Sequence, residues 1–163
     1  MINRLKPLFL ASLLMAAAPA LAEGTNVSFG GLKADTSLPV EVTAENLSVN
    51  QADGTADFSG NVLVKQGAMR LEAGNIRVEY SADGKDISRL HASGGVLLVN
   101  ATDAAQAATA VYTIASGEVV MSGDVLMTQG QTAIKGQKLI INLKTGTGRM
   151  EGGVTTTFTP GSN

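Results

Sequence analysis

Apolar and polar residues alternate along most of this chain with a period of two. In the stretch FSGNVLVKQG, residues 58–67, Phe58, Val62 and Val64 fall on one side of an extended chain and Lys65 falls on the other. This period is that of a β-strand with one buried face. The pattern therefore predicts strands whose apolar faces meet in a common core.

A ten-residue pattern occurs twice, which indicates a repeated structural unit. Residues 121–130 read MSGDVLMTQG, and the shorter motif G-x-V recurs at intervals of 34, 29 and 29 residues, at 60–62, 94–96, 123–125 and 152–154. Each G-x-V follows a residue pair that ends in glycine, and a glycine at positive φ is typical of a tight β-hairpin turn. The predicted turns are Asp53-Gly54, Asp83-Gly84, Ser116-Gly117 and Thr145-Gly146.

The strand face that carries the apolar residues changes once in each repeat. Leu71 and Ala73 have odd numbers, whereas Ile76 has an even number. A shift of one residue turns every later side chain to the other face, so a bulge is needed to keep the apolar set inside. The sequence predicts such bends near Gly74-Asn75 and near Gln137-Lys138.

These signals together predict a single all-β domain. We expect about eight to twelve short strands, arranged as two antiparallel layers or as a solenoid of stacked hairpins with an apolar interior. The segment ATDAAQAATA, residues 101–110, has several Thr and no apolar stripe, and we expect a loop there that runs into a strand. The first and last strands of such a stack are open edges.

The N-terminal residues have a different character. Residues 1–22 combine a basic start, an apolar run and the sequence Ala-Leu-Ala, which is typical of a cleaved signal peptide. We therefore expect an exported protein with a flexible segment over 23–37, the β domain over 38–158 and a flexible tail over 159–163.

Composition excludes several kinds of chemistry. The chain has no cysteine, so it can form neither disulfides nor thiolate metal sites. It has 12 basic against 14 acidic residues and 4% aromatic residues, without a basic stripe, which argues against nucleic-acid binding. The single histidine, His91, falls on the outward face of its strand. We predict no catalytic residues, no metal site and no cofactor.

One enzymatic alternative stays open. A carbohydrate-active enzyme of β-solenoid type needs carboxylates gathered in one groove. The carboxylates of this chain are spread over predicted turns and outward positions, as at Asp53, Asp83, Asp124 and Glu151. The pattern favours solubilising and turn-forming roles for these residues.

The predicted inner face is apolar and poor in aromatic residues. It forms either an ordinary packed core or an interior whose layers separate enough to admit alkyl chains, and each CH₂ removed from water contributes about 0.8 kcal/mol to such binding. The candidate interior residues are Phe58, Val62, Val64, Ile76, Val78, Leu98, Met121, Val125, Met127, Leu139 and Ile141.

Four stretches of the chain resemble the LptA-type lipopolysaccharide-transport family, which has the OstA-like fold. They are residues 38–47, 58–80, 107–112 and 121–146, with the ordered motifs G-N-V, Q-G, A-x-x-I, and G-D-V with K-G. The resemblance implies an open, twisted two-layer β-jelly roll built of stacked antiparallel hairpins. It also implies that the interior binds the acyl chains of lipid A and that the protein catalyses no reaction.

The resemblance further implies an end-to-end assembly in the periplasm. Proteins of this family join the last strand of one copy to the first strand of the next, and also join an inner-membrane transport complex and an outer-membrane translocon. The result is a bridge that passes lipopolysaccharide between the membranes. A self-assembling β scaffold that carries no lipid is the alternative. The candidate edge residues are Val40, Val42, Val154, Thr156 and Phe158.

Overall fold

Strands dominate the structure, a computed structural model that describes residues 25–28 and 30–160. This part of the chain contains eleven strands and one short 3-10 turn, Gly30–Leu32. The strands are β1 Thr25–Ser28, β2 Glu41–Thr43, β3 Asn46–Asn50, β4 Thr55–Gln66, β5 Met69–Tyr80, β6 Ile87–Asn100, β7 Asp103–Thr113, β8 Glu118–Gln129, β9 Thr132–Asn142, β10 Thr147–Glu151 and β11 Thr155–Phe158.

The eleven strands form one antiparallel sheet. Its order is β1, β10, β9, β8, β7, β6, β5, β4 and β2, with β3 beside β4 and β11 beside β9. From β4 to β10 each strand pairs with the next strand along the chain, as in stacked hairpins. The turn glycines Gly54, Gly84, Gly117 and Gly146 have φ between 60° and 71°. The predicted hairpins and the expected number of strands are confirmed.

A register shift interrupts each pair of neighbouring long strands near the middle. The register shifts between Ala73 and Asn75 in β5 and beside Lys138 in β9, so both predicted bends are confirmed. The strands approach each other closely at these points. A Cβ added at Gly74 would lie 3.2 Å from the carbonyl oxygen of Gly94. Glycine has no Cβ and therefore permits this close approach of the two backbones.

The register shifts lie along one line across the sheet. The sheet folds over along that line into two layers. We call them the upper and the lower layer. The upper layer contains β2, β11 and residues 62–66, 69–73, 96–100, 103–107, 125–129 and 132–136, and the lower layer contains β1, β3, β10 and residues 55–59, 75–80, 87–93, 109–113, 118–122 and 138–142.

The two layers share a single core. Inward and outward residues alternate along each half-strand, and most inward residues, Val64 and Leu98 above and Leu90 and Leu139 below among them, are buried in one cluster. The hydroxyl of Tyr112 in the lower layer donates a hydrogen bond to Gln66 Oε1. The apolar faces thus bury each other, which is the main favourable contribution to folding.

The loop predicted over residues 101–110 is wrong, because β7 begins at Asp103. Alanine has no strong strand preference, but β6 and β8 pair with β7 on both sides and satisfy its backbone groups. The side chains of Ala105 and Ala110 point inward and are buried. Tertiary pairing therefore overrides local composition here.

Part of the segment for which the sequence predicts flexibility, residues 23–37, takes part in the fold. β1 pairs with β10, from Thr25 opposite Met150 to Ser28 opposite Thr147. Leu32 is fully buried. The predicted signal peptide, residues 1–22, lies outside the described residues, as does the end of the predicted tail, 161–163. In the described part, no helix is long and apolar enough to cross a membrane.

Candidate functional site

The space between the layers is the candidate functional site. Ten of the eleven residues predicted for the interior have at most 2% of their surface exposed, and Phe58 is half-buried against them. A side chain with no accessible surface has no water-sized void beside it, so the interior is packed along most of its length. The structure thus brings the predicted residues together, and their binding of lipid stays a prediction.

The interior reaches the surface at one end of the sheet, which we call the open end. Leu47 and Val49 of β3 pair with Phe58 and Ala56 of β4 and so share their inward direction. No strand lies beyond β3 in the described residues, and Leu47 and Val49 are 58% and 60% exposed. The inward apolar face is therefore uncovered at this end of the described fold.

The opposite end of the sheet is built differently. In the lower layer, β1 covers β10, so Met150 is fully buried. In the upper layer, β11 pairs with β9 on one side, no other described strand pairs with its second edge, and Phe158 is 68% exposed. In the described residues, this end of the sheet therefore has one strand with a free edge, β11.

The predicted edge residues lie on or beside two edge strands, β2 and β11. Val42 is in β2, and Val40 comes just before that strand. Thr156 and Phe158 are in β11, and Val154 comes just before it. Each of these two strands is paired along one side, by β4 and by β9 respectively. The free backbone groups of such edges can pair with another chain, and that use of the edges stays a prediction.

The long side where the hairpin turns of the two layers meet is the mouth of the interior. Residues 30–38, which we call the strap, lie across it. The strap accepts a hydrogen bond at Lys33 O from Asn100 Nδ2 (2.7 Å), and two from Gln66 Nε2, at Thr36 O (3.1 Å) and Leu38 O (2.9 Å). The amide of Ala34 donates to Leu143 O in the lower layer. The strap thus joins both layers.

A row of polar side chains faces inward under the strap. Gln66, Asn100 and Asp103 are buried, and Gln129 is half-buried and donates a 2.9 Å hydrogen bond to Asp103 Oδ2. Thr102 Oγ1 also lies within hydrogen-bond distance of Asp103. We call the four inward residues the polar row. Buried polar groups are costly without partners, so the strap and the row stabilise each other.

Sequence reasoning missed the polar row, although a signal was present. Gln66 and Gln129 are the glutamines of the two repeated ten-residue stretches, and they continue the inward parity of Val62, Val64 and Met127. Burial raises the pKa of Tyr112, whose hydroxyl contacts Gln66, to about 12.

Several charged residues on the outward faces lie in ion pairs. Arg77 Nε lies 2.8 Å from Asp57 Oδ1, and this carboxylate raises the pKa of the guanidinium. His91 is on the outward face, as the sequence predicts, and its Nε2 lies 2.9 Å from Glu79 Oε1 at an ion-pair distance without hydrogen-bond alignment. Arg149 likewise pairs with Glu151 of the same strand.

Some other carboxylates lie in turns. Hydrogen bonds from the Ser81 hydroxyl and from the Lys85 amide lower the pKa of Asp83 in its hairpin turn. Among residues 25–28 and 30–160, no group of three or more histidine or acidic residues is close enough to hold a metal ion. The arrangement of the acidic residues gives no support to the enzymatic alternative.

The comparisons with known proteins show one family, by a family model, and one fold, by a solved structure. Residues 41–147 match the family model described as LptA/(LptD N-terminal domain) LPS transport protein. An uncharacterized protein of Rhizobium meliloti (strain 1021) is 29% identical over 143 residues, which are 83% of this chain and 77% of that protein.

A solved structure has the same architecture. It is the crystal structure of LptH, described as the LptA homologous periplasmic component of the conserved lipopolysaccharide transport device from Pseudomonas aeruginosa. The match covers 78% of this chain and 99% of that chain with a TM-score of 0.70 and 16% sequence identity. At this identity the likeness shows the fold, and the predicted all-β, open two-layer jelly roll is confirmed.

Proposed function

Because this chain belongs to the LptA and LptD N-terminal domain family of LPS transport proteins, we propose that it carries lipopolysaccharide through the periplasm and catalyses no reaction. The family is the one that the sequence resemblance predicted. In this proposal the acyl chains of lipid A bind between the two layers, and the carbohydrate remains outside the apolar space.

One observation carries the proposal: the apolar interior is continuous and opens to the surface at Leu47 and Val49. At the open end the continuous chain of β4 joins the two layers along the fold line, and among the described strand pairings none crosses the interior, so the layers can separate there without loss of sheet hydrogen bonds. Each CH₂ group that moves from water into the interior contributes about 0.8 kcal/mol. A few acyl chains then offset the lost core contacts.

Photo-crosslinking tests the interior path. A photoreactive phenylalanine analogue at Phe58, inward and near the open end, should crosslink to lipopolysaccharide in cells. The same analogue at Ser59, its outward neighbour, is the matched control, since successive strand residues point to opposite faces. We expect at least a fivefold preference for position 58. Equal crosslinking at both positions, or none at 58, contradicts the interior path.

We propose in addition that copies of the chain join end to end, with β11 of one copy against β2 of the next. The same edges would pair with corresponding domains of an inner-membrane complex and an outer-membrane translocon. Support comes from the exposed Phe158 and from the second edge of each strand, with which no strand of residues 25–28 and 30–160 pairs. The result would be a bridge between the membranes.

Proline substitution tests the edge pairing, because proline removes a backbone donor. Val42→Pro or Thr156→Pro should abolish concentration-dependent oligomers in sedimentation velocity runs, whereas Thr156→Val, which keeps the donor, should not. Thermal melts of the same samples verify folding. Oligomers that persist in a folded proline variant contradict the model.

The packed interior favours a second candidate, a self-assembling scaffold that carries no lipid. The zero accessible surface of central residues such as Met127 and Leu139 is what such a scaffold would show. Native mass spectrometry of protein extracted from cells separates the two candidates. A carrier should arrive partly loaded with lipid A, and a scaffold should arrive without it.

A further inference from the structure

The strap differs from the rest of the fold in the way it is held. The strands are joined by continuous backbone ladders, whereas the strap is attached to the upper layer by the side-chain amides of Gln66 and Asn100. Its residues Lys33, Asp35 and Ser37 are exposed. A surface cleft of about 470 Å³ separates part of the strap from Lys144 of the lower layer. Such an attachment can be released without breaking a strand pairing.

The strap has an internal order that does not depend on the layers. Asp35 Oδ1 accepts hydrogen bonds from the hydroxyl of Ser37 at 2.5 Å and from its amide at 3.0 Å, and these bonds lower the pKa of Asp35. The turn that they form lies on the outer side of the strap. The strap can therefore move as a short preformed unit.

The inward side of the strap combines two kinds of group. Leu32 is fully buried at the mouth and belongs to the core cluster of the two layers. Next to it, the carbonyls of Lys33, Thr36 and Leu38 occupy the amide donors of Asn100 and Gln66. An apolar chain beside neutral hydrogen-bond acceptors is also the chemistry of an acylated sugar.

We propose that the strap occupies part of the ligand-binding site in the free protein and is displaced when the ligand binds. Leu32 occupies the position of an acyl chain. The amides of Gln66 and Asn100, which donate to the carbonyls of the strap, donate instead to the carbonyl oxygens of the amide or ester groups that join acyl chains to the carbohydrate of an amphiphile. This inference rests on the proposed function and adds to it the place of entry and the polar contacts.

The energetics suit an exchange. Replacement of the strap by a purely apolar group leaves the buried amides of Gln66 and Asn100 without partners, which costs about 1 to 3 kcal/mol for each group. A ligand that supplies the same acceptors removes that cost, whereas a purely apolar ligand does not. The mouth should therefore stay closed to apolar molecules and open for amphiphiles that carry suitable oxygens.

A disulfide across the mouth can lock the strap reversibly. A Cβ added at Gly31 would lie 2.5 Å from Cγ of Asp103, the position near which the sulfur of a cysteine at 103 would lie. This is close to the geometry that a disulfide spans. The natural sequence has no cysteine, so Gly31→Cys with Asp103→Cys gives a chain with one possible pair. The matched control carries Gly31→Ser with Asp103→Ser.

The experiment measures crosslinking of purified lipopolysaccharide from the photoreactive position 58 in the full chain. We expect the oxidised cysteine pair to crosslink at least tenfold less than the same sample after reduction, and the serine control to be unaffected by oxidant. Equal crosslinking in the oxidised and reduced forms overturns the strap proposal while the proposed function stands. Absence of crosslinking in the parent chain overturns both.

A second variant tests the polar contacts and does not depend on the disulfide. Asn100→Leu keeps an inward side chain of similar size and removes the donor to Lys33 O. It should bind the apolar fluorophore N-phenyl-naphthylamine at least as well as the parent chain and lipopolysaccharide about fivefold more weakly, the loss of one hydrogen bond. A purely structural role predicts parallel changes for both ligands, and that result overturns the assignment of Asn100.

Discussion

The interior of this protein approaches the surface in two regions, the open end and the mouth. The open end is uncovered, whereas the mouth is covered by the strap. At the open end, Leu47 and Val49 point inward and remain exposed. At the mouth, the strap covers the interior and is held by Gln66 and Asn100, which are buried. The difference indicates that the open end suits contact with another protein, whereas the mouth suits exchange of a ligand.

The largest expected effect is a difference in stability loss between a substitution in the interior and the same substitution at the open end. Leu98→Ala removes a fully buried side chain and should lower the free energy of unfolding by about 2 to 5 kcal/mol. Leu47→Ala makes the same chemical change at the open end and should cost less than about 0.5 kcal/mol. Urea unfolding measures both. A loss at Leu47 comparable to that at Leu98 would mean that the end is closed in solution.

The next effect concerns the mouth. Gln66→Leu leaves the Tyr112 hydroxyl and two strap carbonyls without their partner, so we expect a loss of about 1 to 3 kcal/mol. Val49→Ser, a polar change at the open end, should alter stability by less than about 0.5 kcal/mol. Chemical unfolding of the two variants side by side checks the contrast. Equal effects would show that the mouth is no more ordered than the end.

A third change should convert the covered end of the sheet into a second open one. A chain that begins at residue 29 lacks β1, which exposes the edge of β10. Unpaired edges promote association, and we expect self-association at least about tenfold stronger than in a chain that begins at Thr25, corresponding to about 1.4 kcal/mol. Sedimentation equilibrium gives both constants. Identical constants would show that β1 does not protect this edge.

The smallest effect is a pH dependence that belongs to the mouth alone. Burial raises the pKa of Tyr112 from its ordinary 10 to about 12, so the neutral phenol is favoured in the folded state. Its contribution to stability is complete below pH 10 and is lost between about pH 10 and 12, since the unfolded chain then binds fewer protons. The decline should be smaller in Tyr112→Phe, as measured by chemical unfolding at pH 9 and 11. A decline of equal size in both proteins contradicts the assignment.

The predictions that succeeded rest on local patterns. Alternation alone placed Val62, Val64 and Met127 inside, because a strand has only two faces. Glycines after Asp, Ser or Thr marked the hairpin turns, because those positions require positive φ. The bend near Gly74 followed from parity, since a core can be kept on one side only if the chain shifts by one residue there.

The misses have physical reasons of two kinds. Residues 103–110 form a strand because neighbours pair with both of their sides, and composition carries no trace of that pairing. The strap is held by contacts between side chains and backbone carbonyls at sequence separations of 28 to 67 residues. Such contacts depend on the path of a segment without periodicity. The inward direction of Gln66 was available from parity, but its partner was not.

The strap also sets an order of events during folding. Each hairpin from β4 to β10 pairs with its neighbour in sequence, so the sheet can grow through local contacts as the chain is made. Lys33 binds Asn100, 67 residues later, and Ala34 binds Leu143, later still. We therefore expect that the segment synthesised early is fixed last, and that pulse-labelling hydrogen exchange will show protection of the Ala34 amide after that of Val120. Protection of both amides in one phase would contradict that order. Until the strap is bound to both layers, the mouth of the interior is open to solvent.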